Sequence, residues 1–268
     1  MHGPYWYWVI IVSLIPFVLE RVMPWRPDQE TVRPQLSQDI FWFLFNGFAA
    51  AFIFKGLYGW TGFHLDRFYL SVTGYTPQTL GMVRDLPFVA QVLIYLLCAD
   101  FLDWCIHNLL HRVSALWFFH RVHHTIHIMD WIGNYRVHWV ETIVYNVLKY
   151  LPLALFGADG KVILTVAIIS NLFGNLNHAN INFSWGPLRY VFNSPCMHIW
   201  HHDRKPPVPA GYNFGIVFSM WDWIFDTAYF PLGEVPESLG FSNDRMYPKN
   251  LVFRFFTPFL KTPRDRTV

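Results

Sequence analysis

Long apolar runs separated by short polar punctuation dominate the first two thirds of this chain, and their lengths set the first expectations. A helix that crosses a bilayer needs about 20 mostly apolar residues, because its backbone must satisfy its own hydrogen bonds in lipid. Segments Tyr5 to Met23, Ile40 to Tyr58 and Leu86 to Ile106 approach that length. Two more, Thr142 to Phe156 and Val162 to Phe173, are separated only by the turn Gly157 to Lys161, which predicts a helical hairpin that dips in and returns. The first run has no basic start and no small-residue cleavage site, and a Trp and Tyr cluster opens it, so it reads as a retained anchor. Asp100 and Asp103 are expensive in lipid and belong at an interface or in a polar site. Beyond Gly174, turn-rich segments such as Trp185 to Pro187 and Pro206 to Gly211 predict a water-facing region packed on the membrane part. Residues 244–268 carry Arg245, Lys249, Arg254, Lys261, Arg264 and Arg266 among phenylalanines, as an interfacial tail would.

Composition agrees with this pattern. Charged residues make up 14% of the 268, well under the roughly 25% of soluble domains. Mean hydropathy is only +0.24, so part of the chain sits in water. A net charge of +2 excludes a nucleic-acid footprint, which needs a concentrated basic surface. Three cysteines without a C-x-x-C pair exclude a disulfide framework or thiolate metal site. The expected architecture is all-α: a multi-span integral membrane helical bundle with a water-facing helical cap. Residues 1–85 form the anchor spans, 86–230 the histidine-rich catalytic membrane domain and cap, and 231–268 the basic tail.

The chemistry lies in the histidines. Eleven of thirteen fall between 107 and 202, and eight of these form three groups: His107 with His111, then His120, His123 and His124, then His198, His201 and His202. Residues three and four apart share a helix face, and an adjacent pair adds a second direction, so one triplet can serve two neighbouring metals. Packed together without a metal, eight imidazoles would repel when protonated and leave lone pairs unpaired when buried. His2 and His64, outside the groups, read as packing residues. Imidazole suits iron, zinc, copper and nickel alike. No H-E-x-x-H, phosphate loop, nucleophile elbow or dinucleotide fingerprint is present.

The order of motifs resembles the fatty acid hydroxylase superfamily, in particular its sterol desaturase branch of histidine-rich membrane di-iron oxidoreductases. The residues that carry the resemblance run from Asp103 to Arg112, Trp117 to His124, Tyr135 to Glu141, His178 to Asn180 and Pro195 to His202. They close with Tyr212 to Gly215, Trp221-Asp222 and Phe225 to Thr227. The resemblance implies two iron ions that activate O2 to hydroxylate or desaturate an unactivated C–H bond of a sterol, fatty-acyl or alkyl lipid entering from the bilayer. No flavin, haem or ferredoxin motif occurs, so the electrons come from an external donor protein. A further H-x-x-x-H pair found in another branch is absent around His178; His138 and His178 as single ligands then bring the set to ten, five per metal. Of Asp100, Asp103, Glu141, Asp203 and Asp222, Asp103 and Glu141 are the expected ring-orienting carboxylates, Glu141 for His138. His127 is expected to support or pack rather than ligate. Zinc can replace ferrous iron in purified protein. Arginines near the clusters place the metal site on the cytoplasmic side. The alternatives are a metal-binding membrane transporter and a catalytically inactive member of the family.

Overall fold

The structure, a computed structural model, describes residues 5–77, 81–208, 210–257 and 259. Among these the regular structure is helical, with only isolated bridges such as Phe192 to Phe218 and no named strand. The helices are α1 (Tyr5–Val22), α2 (Leu36–Leu44), α3 (Ala50–Ile53), α4 (Lys55–Thr73), α5 (Phe88–Arg112), α6 (Ser114–His120), α7 (Trp139–Leu153), α8 (Gly160–His178), α9 (Pro195–His201), α10 (Met220–Ile224) and α11 (Leu251–Phe256).

Two of them, α1 and α5, are long and apolar enough to cross a membrane. On α5 the buried residues Val92, Tyr95, Leu96, Ala99, Asp103, Ile106, His107 and Leu110 recur every three or four positions, while Val89, Leu93, Leu97 and Leu109 stay exposed. A helix with one packed stripe and an apolar outer face suits lipid better than water. The packed stripe meets α7 and α8, and α1 lies along α8. Val92, Leu96, Leu153, Val162 and Val166 form the apolar centre of this bundle.

The hairpin expected from the sequence is present as α7 and α8. Its turn depends on Gly157, whose φ of 58° lies in the left-handed region and whose missing Cβ would stand 2.7 Å from the Pro77 carbonyl oxygen. Asp159 then caps α8 by accepting from the Lys161 amide at 2.7 Å.

The expected span from Ile40 to Tyr58 is not one helix. It is divided into α2, a π-helical turn at Phe45–Ala49, α3 and the start of α4, with a break at Phe54. Within the π-helical turn, the Asn46 amide donates to the carbonyls of Tyr135 and Val137 at 2.9 and 2.8 Å, which ties this segment to the stretch before α7. The basic tail also differs from expectation over its described part. Arg254 is buried and donates to Gln35, Gln38 and the Pro248 carbonyl, and Phe255 stacks on Trp42. Lys261, Arg264 and Arg266 lie outside the described residues.

Candidate metal centre

Nine imidazoles converge where α5, α6, α8 and α9 end. They divide into two sets whose ligand atoms all lie within 4.8 Å of one another: His107, His111, His120, His124 and His201, and His123, His178, His198 and His202. Each adjacent pair, His123-His124 and His201-His202, contributes one ring to either set, as the triplet geometry predicts. The segment after α6, which carries His123 and His124, and the C-terminal end of α9 are therefore the two bridges between the sets. Eight of the nine residues are buried and His111 is partly so.

The hydrogen bonds decide which nitrogen of each ring faces inward. Nδ1 of His107 donates to the Phe214 carbonyl at 2.9 Å, His201 to Tyr212 at 2.7 Å, His178 to Gly174 at 2.8 Å, and His120 to the Glu141 carboxylate at 2.8 Å. These partners only accept, so each Nδ1 carries the proton and each Nε2 of the neutral ring is a bare lone pair. Yet Nε2 of His107 and His120 stand 3.1 Å apart. Lone pairs aimed at one another repel unless a cation lies between them. Further buried nitrogens of His123, His198, His201 and His202 have no hydrogen-bond partner, which burial penalises strongly. The donor set therefore fits two imidazole-bound metal ions.

Burial and the neighbouring imidazoles push His123, His124, His198 and His202 well below the ordinary imidazole range, and His201 down to about 3. Neutral rings are the ligating form. Above pH 6.5, near the unperturbed imidazole value, folded and unfolded chains both hold these rings neutral. Below it the unfolded chain takes up protons that the folded chain refuses until the pH nears 3 at His201, so stability falls progressively through that window. In metal-free protein in detergent, a His202→Ala variant should therefore lose less Tm than the wild type on acidification below about pH 6.5.

The loop 212–222 holds two of the rings in place. Asn213 adopts a left-handed φ of 57°, and its side chain bonds the backbone of Met197 and Tyr229. The carbonyls of Tyr212 and Phe214 on either side are thereby aimed at His201 and His107. Gly215 allows the next turn, since a Cβ there would stand 2.2 Å from the Phe218 carbonyl oxygen. Asp222 accepts from the amides of Phe214 and Gly215, from Thr227 and from the indole of Trp104 on α5. Asp100 accepts from the amides of Val217 and Phe218 and from Trp221. The Tyr212-Asn213-Phe214-Gly215 string was visible in the sequence, but its use of backbone carbonyls to orient rings was not.

Several sequence expectations are corrected here. His138 belongs to neither set: its Nε2 donates to the Phe255 carbonyl at 2.9 Å, its Nδ1 accepts from the Val140 amide at 3.1 Å, and its ring packs among Trp42, Phe119 and Trp139. Burial holds it near a pKa of about 4. Glu141 holds one of the converging rings, but it is His120, brought from another helix, and not His138. Asp103 faces Lys149 at 3.0 Å instead of an imidazole. His127 bonds Asp244 at 2.8 Å, and Asn182 accepts from the Cys196 thiol, so neither completes the four-membered set. His138→Ala should accordingly keep both metals while losing about 2–4 kcal/mol of stability from the emptied site and the weakened tie to Phe255. Metal analysis beside thermal unfolding checks this.

Comparison with known proteins agrees with the geometry. An ornithine lipid hydroxylase of Rhizobium tropici is 29% identical over 182 residues, 68% of this chain and 54% of that protein. An alkylglycerol monooxygenase of Caenorhabditis elegans is 27% identical over 128 residues, covering 48% and 25%. Methylsterol monooxygenase 1-3 of Arabidopsis thaliana is 26% identical over 160 residues, covering 56% and 54%. The chain thus spans about half the length, or less, of these relatives. No solved structure matches. The model of the fatty acid hydroxylase family matches residues 92–227, half of the chain and the stretch that holds all nine converging histidines, and the protein belongs to that family.

Proposed function

We propose that this chain is a membrane-embedded, O2-dependent di-iron oxidoreductase that hydroxylates or desaturates a C–H bond of a lipid. The observation that carries the reading is the pair of buried imidazole sets, in which His107, His120, His178 and His201 have Nδ1 committed to an acceptor and Nε2 left bare. Two irons held there would supply dioxygen activation. For hydroxylation one oxygen atom enters the C–H bond and the other leaves as water, with two electrons and two protons from an external donor protein.

The chain's own residues prepare the site for this. Phe214, Tyr212, Gly174 and Glu141 hold four rings in the ligating tautomer before any metal arrives. Five rings, His107, His111, His120, His124 and His201, would hold one ion. Four, His123, His178, His198 and His202, would hold the other and leave it a position for a small ligand. A cavity of about 310 Å³ opens on His111, His124 and His201, so the five-membered set is the one that meets substrate. Arg136 supports the bridge between the sets: it donates to the carbonyl and hydroxyl of Thr125, the residue after His123-His124, and is itself held by Asp39.

Two measurements test the reading. Folded protein reconstituted with iron should contain two irons per chain, or zinc where iron was scarce; one or none after reconstitution would sink it. Lipids from cells expressing the chain should carry a product gaining 16 mass units or losing two hydrogens, absent with His124→Ala. We further infer that α1, α5 and the α7–α8 hairpin are membrane-embedded with the metal centre on the cytoplasmic face. A protease site inserted near Pro206 should be cut only after the cytoplasmic side is exposed.

A further inference from the structure

A second polar region lies inside the helical bundle, away from the mouth at His111. A cavity of about 280 Å³ sits between α1, α5, α7 and α8, and Tyr5, Tyr95, Asn146, Lys149, Ser170 and Asn171 supply the polar part of its wall. Polar side chains within membrane-embedded helices are costly and mark sites of function, and a roomy polar cavity holds water. At its wall the Lys149 ammonium reaches both carboxylate oxygens of the buried Asp103 on α5, at 3.0 and 3.1 Å. Tyr145 and Glu141 precede Lys149 on α7 by one and two turns, so the three share a face. Their partners show where that face looks. Asp103 stands one turn before His107 on α5, and Glu141 accepts from His120 at 2.8 Å. Tyr145, between them, lies within electrostatic reach of both carboxylates. A file of ammonium, carboxylate and phenol thus leads from the cavity to the back of the His120 ring, and each of the three groups can bind and release a proton.

Resting on the lipid-oxidising reading above, we propose that Lys149, Asp103 and Tyr145 form the proton route to the metal centre. Each turnover consumes two protons with its two electrons, and the lipid being oxidised closes the mouth at His111, so the protons need another way in. Lys149 releases a proton to Asp103 and is recharged from cavity water. Asp103 passes the proton to the oxygen of Tyr145 as the phenol gives up its own towards the centre. Every group then ends the turnover as it began, and the electrons of the donor protein do not alter them.

Arginine keeps the charge of lysine but does not give up its proton, so Lys149→Arg separates a proton route from a structural ion pair. Lys149→Arg and Tyr145→Phe should each keep two irons per chain, a near wild-type Tm and the KM for lipid, while kcat falls by about a hundredfold. The solvent deuterium isotope effect on kcat, which a structural pair leaves alone, should grow in both. In metal-free folded protein, Ser170→Cys at the cavity wall should be labelled by the water-borne reagent methanethiosulfonate ethylammonium, read by peptide mass spectrometry. Wild-type kcat in either variant, or a Ser170→Cys thiol that stays unlabelled, overturns the proposal and leaves Asp103 and Lys149 as a brace between α5 and α7. A wild-type chain that holds two irons and oxidises no lipid removes the hydroxylase reading, and the route with it.

Discussion

Replacing His202 by alanine should cut the metal content from two ions per chain to one and reduce lipid oxidation by about three orders of magnitude or more. The four-membered set has no spare ligand, so losing His202 leaves three imidazoles, and neither His138 nor His127 is placed to substitute. The ion retained by the other set cannot replace the several kcal/mol of charge stabilisation that the lost ion contributes, and each 1.36 kcal/mol is a factor of ten in rate. The double variant His107→Ala, His111→Ala leaves the opposite set three imidazoles as well and should give the complementary result with the other ion retained. Metal analysis paired with lipid mass spectrometry on the two variants distinguishes two separate sets from one diffuse cluster. If either variant kept two ions, the division into sets would be wrong.

A change remote from the metals should be nearly as damaging. Asp39 is fully buried on α2 and accepts from Arg136 through Nε and Nη2 at 2.5 and 2.7 Å, and from Arg33 at 2.7 Å. Arg33 also pairs with Asp130, and Arg136 reaches the backbone after His124. Asp39→Ala leaves Arg136 without a carboxylate partner and Arg33 with Asp130 alone, and should cost about 3–5 kcal/mol, the usual penalty for breaking a buried pair from one side. Thermal unfolding in detergent measures the cost. The variant should also bind metal less tightly, because the His123-His124 turn loses its support; Asp39→Asn, which keeps the acceptor oxygen, should lie between it and wild type. An unchanged Tm would mean that water reaches the two arginines.

How much was legible in the sequence differs residue by residue. The eight clustered histidines declared themselves because their spacing has only one economical explanation: rings three, four and one apart on a helix can converge in just the way two metals require. His178 was legible only through family order, and it joins the four-membered set because α8 returns it to the end of α5. His138 followed the same reasoning but joins neither set, since the residues around it pack its ring against Trp42 and Phe119, and the carbonyl of Phe255, 117 positions away, accepts its N–H hydrogen bond. Glu141 was chosen as a ring-orienting group for its place one turn beyond His138, yet its partner arrives from α6. Asp103 looked equivalent to Glu141 in sequence, and the facing Lys149 decided otherwise.

The same division holds for the fold. Apolar run length by itself determined α1, α5 and the hairpin, because the hydrophobic demand of a helix is written in consecutive residues. It misread Ile40 to Tyr58, where one polar side chain, Asn46, bonds backbone nearly 90 residues away and the run divides at a π-helical turn. Helical spacing fixes which side chains share a face, so the sequence determined that a histidine cluster exists and which positions supply most of it. Only the tertiary structure decided which imidazole joins which set and which carbonyl holds each ring. Each of these depends on contacts between elements far apart in the chain, and local periodicity carries no information about those contacts.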